Sequence, residues 1–169
     1  MNKKILILGI ITLIVDQITK IMAEYYLVLN KSVAVVKNFF SLTLCHNYGA
    51  AWGILKDKGW IIIVLSIFAL LLIYHFIYCF KSNSRNNIAF GLLFGGLEGN
   101  LLDRILYGYV RDFFDFYIFK YNYPVFNIAD ICIVIGVILL IIAVIKGEDL
   151  SESSSGRRNK RKTRQVSSK

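Results

Sequence analysis

Residues 110–130, VRDFFDFYIFKYNYPVFNIAD, separate two strongly apolar segments of the chain. Asp112 follows the first segment and Asp130 lies just inside the second, so we expect a short surface loop to bring both carboxylates to one membrane interface. Ionisable residues are costly in a bilayer and are retained where they face a polar cavity or serve a function. Two carboxylates in one site do not both ionise easily, so such a pair can hold a single proton and supply a general acid and a general base.

This stretch alone also allows a simpler interpretation. Asp112 would be an ordinary loop residue, and Asp130 would be a charge that the helix macrodipole favours at a helix N-terminus. The rest of the chain favours the catalytic interpretation.

The composition of the 169-residue chain is that of an integral membrane protein. Hydrophobic residues make up 56% of it, which is too much for a soluble domain of this size. We expect one membrane domain, residues 1–147, followed by a disordered, basic cytoplasmic tail, residues 148–169. The formal charge is +9, and eight basic residues lie at the C-terminal end: Lys146, Arg157, Arg158, Lys160, Arg161, Lys162, Arg164 and Lys169. Because the charge is concentrated there, we expect no nucleic-acid partner, and the tail is expected to contact anionic lipid.

Three cysteines indicate neither a metal site nor a disulfide framework. Cys45, Cys79 and Cys132 are far apart and form no CxxC pair. Cys79 and Cys132 lie in apolar segments, where a thiol behaves as a small hydrophobic group. We therefore expect no zinc site and no disulfide.

Four apolar segments are long enough to cross a hydrocarbon core, which takes about 20 helical residues. They lie near residues 4–27, 59–80, 88–107 and 126–146. The first continues past Asp16 without a small-residue cleavage site, so we expect a retained helix and not a cleaved signal. The predicted fold class is an all-α membrane protein with four transmembrane helices.

Basic residues predict the orientation in the membrane. The N-terminus, the loop 81–87 and the tail together carry twelve Lys and Arg residues, against six on the opposite side. Because cytoplasmic flanks are enriched in Lys and Arg, both termini are expected in the cytoplasm. The external residues 28–58 weaken this bias, since they hold four of those six residues. An even number of spans still requires both ends on one side.

Residues 28–58 are too polar to span the membrane and too long for a simple connection. The alternating stretches SVAVV and FFSLTL, followed by the turn-rich NYGAAWG, predict two or three short strands and an interfacial aromatic anchor at Trp52. A folded external element is therefore expected. Within it, Asn47 and Gly49 form either a tight turn that exposes the Asn47 amide or a plain loop.

Two of the predicted helices carry informative residues on one face. In the first, Asp16 and Lys20 are one turn apart, and we expect a structural ion pair inside the bundle. In the third, Gly91, Gly95 and Gly99 recur every four residues. This spacing allows the backbones of membrane helices to approach closely.

The third helix carries a second row of residues at i, i+4 spacing: Gly96, Asn100 and Arg104. Residues i and i+1 do not face each other on a helix, so we do not expect Arg104 to pair with Asp103. Its expected partner is Asp112, Asp115 or a substrate group. Glu98 lies on a different face of the helix and has no assigned role.

Five motifs occur in order between about residues 10 and 145: DQITK (16–20), NYGAAWG (47–53), GGLEGNLLDR (95–104), VRDFFDF (110–116) and FNIAD (126–130). Together they resemble the motif series of lipoprotein signal peptidase, signal peptidase II. The resemblance implies a four-helix membrane aspartyl endopeptidase that removes the signal peptide from bacterial prolipoproteins, cutting on the amino side of the diacylglyceryl-modified cysteine. One departure is Glu98, which stands where the family usually carries a small or apolar residue.

The resemblance also implies roles for individual residues. Asp112 and Asp130 match the catalytic aspartates, which activate water without a metal or another cofactor. Six residues match the polar groups that surround the site, support it or bind substrate: Asp16, Lys20, Asn47, Asn100, Arg104 and Asn127. The family pattern further implies a small external β-cradle and an interfacial amphipathic helix over the site.

Partners and location follow from the same resemblance. The substrates would be diacylglyceryl-modified prolipoproteins. We expect a monomer that crosses the bacterial cell membrane several times, in contact with membrane lipids, with its active site near the external face.

The competing class is a non-enzymatic membrane protein, such as a small transporter or a helper subunit whose carboxylates relay protons. Ionisable residues would then be strung across the bilayer. Here most polar residues lie toward one interface, and only Glu98 and the pair of Asp16 and Lys20 lie deeper. That distribution favours the peptidase.

Overall fold

The computed structural model describes residues 2–49, 58–119 and 121–148. In this part of the chain, long helices and strands follow in the order α1 (Lys3–Tyr26), β1 (Ser32–Val36), β2 (Phe40–Asn47), α2 (Gly59–Phe76), α3 (Ser84–Tyr107), β3 (Val110–Ile118), β4 (Tyr121–Asn122) and α4 (Ile128–Ile145), with a 3₁₀ turn at Ile77–Cys79. Residues 28–49 form strands and turns, so the expected interfacial helix has no counterpart there. Residues 50–57, which include Trp52, and residues 149–169 of the predicted tail lie outside the described residues.

Among the described residues, three helices are long and apolar enough to cross a membrane: Lys3–Tyr26, Gly59–Cys79 and Ile128–Ile145. They expose many Ile, Leu, Val and Phe side chains, as expected of surfaces in contact with lipid. The fourth predicted span, α3, is not among them because it carries polar and charged side chains along its length. It packs against α1, α2 and α4, so much of its surface is covered by protein.

Glycines on two faces of α3 allow close contact with α1 and α4. A Cβ atom on Gly95 would overlap the backbone of α1, and one on Gly99 would overlap the carboxylate of Asp16. On another face, a Cβ atom on Gly96 would lie only 2.7 Å from the carbonyl oxygen of Ala129 in α4. The glycine spacing therefore predicts a real close approach, and α3 is the helix on which the bundle is assembled.

The third helix begins at Ser84, four residues before the start predicted near residue 88. Asn83 is its N-cap, and Oδ1 of Asn83 accepts a hydrogen bond of 2.8 Å from the backbone N–H of Asn86. The residues before 88 are polar, so hydropathy alone places the start too late. The capping asparagine gives the better boundary.

The residues after α3 form a strand and not the surface loop that we expected. β3 pairs with β2 in an antiparallel sheet of order β1–β2–β3–β4. Aromatic residues are typical both of the membrane interface and of strands, and the edge of β2 supplies a partner for this segment. In the pairing, Cys45 lies opposite Asp112, and the register shifts between Leu42 and Cys45.

A further pairing ties β3 to the start of α4. The backbone N–H groups of Phe113 and Phe114 donate to the carbonyl oxygen of Phe126 at 3.1 and 2.8 Å, and the N–H of Phe126 donates to Phe114 at 3.1 Å. Phe113 also packs with Ala23 and Leu44 in a buried apolar cluster. These contacts fix Asp112, the residue before Phe113 in β3, next to the first turn of α4.

Candidate active site

Asp112 lies near the start of β3 and is almost completely buried, with 2% of its surface exposed. Its Oδ2 atom accepts a hydrogen bond of 2.9 Å from Nδ2 of Asn47, and its Oδ1 atom accepts one of 2.6 Å from Nδ2 of Asn127. Asn47 ends β2, and its Oδ1 atom accepts from the backbone N–H of Gly49 at 3.0 Å. Of the two interpretations of Asn47 and Gly49, the structure shows the tight turn that presents the amide.

The pKa of Asp112 is raised to about 7, mainly by burial and then by the negative charge of Asp130. The hydrogen bonds from Asn47 and Asn127 lower the pKa, because they stabilise the charged form. A carboxyl group with a pKa near 7 exists in both protonation states at neutral pH. Such a group is suited to transferring a proton.

Asp130 lies in the first turn of α4 and is half-buried. Its Oδ1 atom accepts a hydrogen bond of 2.7 Å from Nδ2 of Asn100, and its Oδ2 atom accepts one of 3.2 Å from the backbone N–H of Asn127. Asn127 accepts from the backbone N–H of Asp130 at 3.0 Å, which completes a capping box and starts the helix at Ile128. Asp130 is thus a helix-start charge, as the simpler interpretation holds, but its carboxylate also contacts a second helix.

Asn127 contacts both aspartates and connects them to α3. Besides its bond to Asp112, its Nδ2 atom donates to Oδ1 of Asn100 at 3.1 Å. Asn100 in turn donates to Asp130, so the two asparagine side chains link the two carboxylates. The structure therefore brings together these four residues, which the sequence places on three separate segments.

The predicted ion pair of Asp16 and Lys20 belongs to the same network. Both residues are fully buried, and Nζ of Lys20 lies 2.8 Å from Oδ2 of Asp16. The ammonium also donates to Oδ1 of Asn100 at 2.9 Å and lies 3.5 Å from Oδ2 of Asp103. The other oxygen of Asp16 accepts from the backbone N–H of Ala129 at 3.0 Å. α1 is thus bonded to both helices that carry the site.

Arg104 does not form the hydrogen bond that we expected with Asp112 or Asp115. One guanidinium nitrogen donates at 3.0 Å to the backbone carbonyl one turn earlier in α3, and the other donates at 3.3 Å to the carbonyl of Gly49. Asp112 accepts from asparagine amides instead, and Asp115 accepts from the hydroxyl of Thr43 at 2.6 Å. Arg104 therefore joins α3 to the turn that follows β2.

Three further residues of this region were missed by the sequence reasoning: Gln17, Asp103 and Arg111. Both carboxylate oxygens of Asp103 accept from the guanidinium of Arg111, at 2.7 and 3.2 Å. Gln17 donates to Asp103 at 3.1 Å and accepts from Arg111 at 3.0 Å. A signal was present in the sequence, since Asp103 stands four residues after Gly99 and continues the glycine stripe that faces α1.

A cavity of about 430 Å³ opens beside the site. Eight of the described residues line it: Phe116, Ile118, Tyr123, Phe126, Asp130, Ile131, Val134 and Ile135. Among these described lining residues, Asp130 is the one carboxylate, and the others are apolar or aromatic. The two aspartates therefore have different surroundings, because Asp112 is enclosed by amides while Asp130 borders an apolar space.

The described residues contain no group of three or more His, Cys, Asp or Glu side chains placed to hold a metal ion. The cysteines are free thiols in β2, the 3₁₀ turn and α4. In the part of the chain that the structure describes, the polar groups around the site are carboxylates, amides, an ammonium and guanidinium groups. These groups can transfer protons and form hydrogen bonds to a peptide.

Known proteins resemble this chain over most of its length. A family model described as signal peptidase (SPase) II matches residues 8–146. A lipoprotein signal peptidase of Clostridium tetani (strain Massachusetts / E88) is 43% identical over 144 residues, which cover 84% of this chain and 90% of that protein. One from Staphylococcus aureus (strain JH9) is 42% identical over 142 residues, which cover 83% of this chain and 87% of that protein.

Two solved structures are also similar, and each is described as a bacterial membrane enzyme studied by the in meso method, at 2.3 and 1.9 Å resolution. Both are 39% identical to this chain and cover 84% of it, with TM-scores of 0.76 and 0.74. The matches cover 87% and 92% of the two solved chains. Because the family model covers residues 8–146 and the sequence identity and the fold agree with it over most of the chain, this chain belongs to the signal peptidase II family, the lipoprotein signal peptidases.

Proposed function

We propose that this chain is a membrane aspartic endopeptidase that removes the signal peptide from bacterial prolipoproteins. In this proposal it cuts on the amino side of the cysteine that carries the diacylglyceryl group. One observation carries the mechanism: Asn127 binds both Asp112 and Asp130 where β3 meets α4. Membership of the signal peptidase II family supports the substrate class.

The two aspartates take different roles because their surroundings differ. Asp112, whose pKa is raised to about 7, keeps a proton and acts as the general acid. Asp130 borders the cavity and acts as the ionised general base. It takes a proton from a water molecule as the water oxygen attacks the scissile carbonyl carbon, while Asp112 protonates the carbonyl oxygen.

The second half of the reaction restores the dyad. Asp130 gives its proton to the peptide nitrogen as the C–N bond breaks, and Asp112 takes back a proton from one hydroxyl of the tetrahedral intermediate. Asn47, Asn100 and Asn127 hold the carboxylates in place through both halves. The cycle needs one water molecule and no group other than the two carboxyls to move protons.

The apolar cavity beside Asp130 is where we expect an apolar part of the substrate to lie. Its aromatic and aliphatic walls favour a side chain or lipid chain over water. With Asp130 in its lining, a peptide bond next to that apolar group comes within reach of the base. Arg104 supports the site through its hydrogen bond to the carbonyl of Gly49.

We further propose a membrane arrangement in which α3 is a fourth span. Two of its buried polar residues, Asn100 and Asp103, bond to α1 or α4, so a span at this position does not expose them to lipid. Both termini then lie in the cytoplasm, and the site lies near the external face of a monomer. Residues 1–147 form the catalytic domain, and residues 148–169 form a basic tail held against anionic lipid.

Cysteine labelling tests the orientation. Single cysteines replace Arg85 or Lys120 in a variant without native cysteines, and intact cells are treated with an impermeant reagent. We expect labelling at position 120 and none at position 85 until the cells are lysed. The reverse pattern would overturn the orientation.

Cleavage of a lipidated prolipoprotein by the purified chain tests the function. We expect Asp112→Asn and Asp130→Asn to remain folded and to lose turnover, because an amide cannot transfer the required proton. Asp115→Asn is the matched control, since Asp115 lies on the same strand but bonds to Thr43. Wild-type protein that leaves the substrate intact, or an active variant of either aspartate, would contradict the proposal.

The double variant should lose no more turnover than either single variant, because the two residues act as a unit.

A further inference from the structure

Asp112 is fixed from both sides along β3. On its C-terminal side, Phe113 and Phe114 are bonded to Phe126. On its N-terminal side stands Arg111, which is only 3% exposed although it carries a charge. A buried guanidinium is costly unless its donors are satisfied, so the contacts of Arg111 show what it holds together.

Arg111 is bonded to Asp103 by main chain and side chain together. Its backbone N–H donates to Oδ2 of Asp103 at 3.0 Å, Nε donates to the same oxygen at 3.2 Å, and Nη2 donates to Oδ1 at 2.7 Å. Nη2 also donates to Oε1 of Gln17 at 3.0 Å, and the guanidinium carbon lies 4.6 Å from the centre of the Tyr107 ring. The side chain thus makes a two-pronged contact that lysine cannot reproduce.

The contact between Arg111 and Asp103 spans the turn that connects α3 to β3. α3 ends at Tyr107 and is capped by Gly108, which has a left-handed φ of 80°, and β3 begins at Val110. Two sets of contacts fix the direction in which β3 leaves α3: the pairing of its first residues with β2, and the contact that ties Arg111, its second residue, to Asp103 in the last turns of α3.

We propose that Arg111 is a positioning residue for Asp112, which its contact with Asp103 holds within hydrogen-bond distance of Asn47 and Asn127. The inference rests on the proposed function, since it concerns the aspartate that transfers a proton. Arg111 does not touch the reacting atoms. It acts through the strand, and displacing the strand moves the carboxyl away from both amides at once.

The test compares Arg111→Lys with wild type in the lipidated prolipoprotein assay, with Arg85→Gln as the matched control. Arg85 pairs with Glu148 at the N-terminal end of α3, and the site lies toward the other end. The control variant therefore also loses a contact between an arginine and a carboxylate. For Arg111→Lys we expect kcat to fall about a hundredfold, the loss typical of a misplacement of about 1 Å, with KM unchanged. The alkaline limb of its pH–kcat profile should also move, because burial and hydrogen bonds set the pKa of Asp112. Arg85→Gln should keep the wild-type kcat and profile.

A purely structural role gives a different result. Arg111→Lys would then melt at a lower temperature, but its monodisperse fraction would keep the wild-type kcat and the wild-type pH profile, and the inference would be wrong. If Arg111→Lys does not fold, the Gln17→Met variant tests the inference instead, because it removes one acceptor of Arg111 and leaves no unpaired charge. We expect a several-fold fall in kcat and the same displaced limb, and an unchanged kcat would overturn the inference. Failure of the proposed function looks different, since wild type would not cleave or Asp112→Asn would remain active.

Discussion

Nδ2 of Asn127 lies 2.6 Å from Oδ1 of Asp112, and the same side chain accepts the backbone N–H of Asp130. The residue that caps α4 is therefore also the residue that joins the two aspartates. One side chain serves both the stability of a helix and the geometry of the proposed dyad, and substitutions can separate these two tasks.

Asn127→Ser and Asn127→Ala make that separation. Serine can still cap the helix, whereas alanine cannot, and we expect alanine to cost about 1 kcal/mol of unfolding free energy relative to serine. Neither can donate an amide N–H to Asp112, so both should lose turnover by about a hundredfold. Thermal melting in detergent and the cleavage assay measure the two effects. A serine variant with wild-type turnover would show that the contact with Asp112 is dispensable.

The raised pKa of Asp112 predicts how the stability of the protein depends on pH. Its pKa rises from an ordinary 3.8 to about 7 on folding, so between these values the folded protein holds a proton that the unfolded chain releases. Its contribution to stability is therefore fully present below about pH 4 and is lost as the pH rises through about 7. We expect the melting temperature of wild type to fall over this range relative to that of Asp112→Asn, which cannot titrate. Parallel curves would mean that Asp112 does not hold the proton.

Lys20→Met tests the buried charges of α1. The variant leaves Asp16 and Asp103 buried with one cation fewer, and breaking a buried pair in this way costs about 3–5 kcal/mol. Asp16→Asn combined with Lys20→Met should recover part of the loss, because the uncompensated charge on residue 16 is gone. A double-mutant cycle of unfolding free energies measures the coupling. Additive single effects would contradict the ion pair.

Arg104→Lys distinguishes a structural prop from a substrate contact. Lysine keeps the charge but cannot reach both the carbonyl of Asn100 and the carbonyl of Gly49. Because Gly49 also bonds to Asn47, we expect both the melting temperature and the turnover to fall. A fall in turnover with an unchanged melting temperature would instead indicate that Arg104 binds substrate. A wild-type melting temperature together with a wild-type turnover would exclude both the structural role and the substrate contact.

Two truncations test the C-terminal end. Glu148, the first residue of the predicted tail, accepts from Asn83 at 2.7 Å and from Asn86 at 3.2 Å and pairs with Arg85. Ending the chain after Glu148 should leave melting temperature and detergent turnover unchanged. Ending it after Gly147 should lower the melting temperature alone, because those contacts are lost far from the site. Loss of detergent turnover in a folded chain that ends at Glu148 would show that the basic tail belongs to the enzyme.

The sequence predicts those parts of the site that depend on local periodicity. Helical spacing places Asn100 and Arg104 on one face and Asp16 beside Lys20, and the structure has them so. The sequence predicts the start of α4 near residue 126, but Asn127 caps the helix from outside and α4 begins at Ile128.

Long-range contacts could not be predicted in this way. β3 is a strand because β2 and Phe126 pair with it, and neither partner is visible in the local pattern. Arg104 donates a hydrogen bond to the backbone carbonyl of Gly49. Every residue has such a carbonyl, so residue types alone do not identify this partner. The contact between Arg111 and Asp103 spans a turn at which regular periodicity ends.

Cys45, which lies opposite Asp112 in the β2–β3 pair, gives the protein an internal chemical reporter. Burial raises the pKa of its thiol, and the negative charges of Asp112 and Asp115 raise it further. Alkylation proceeds through the thiolate, so its rate at Cys45 depends on whether Asp112 is charged. With Cys79 and Cys132 replaced, the rate of alkylation as a function of pH, compared between wild type and Asp112→Asn, would follow the proton on the aspartate in a resting enzyme that has no substrate bound.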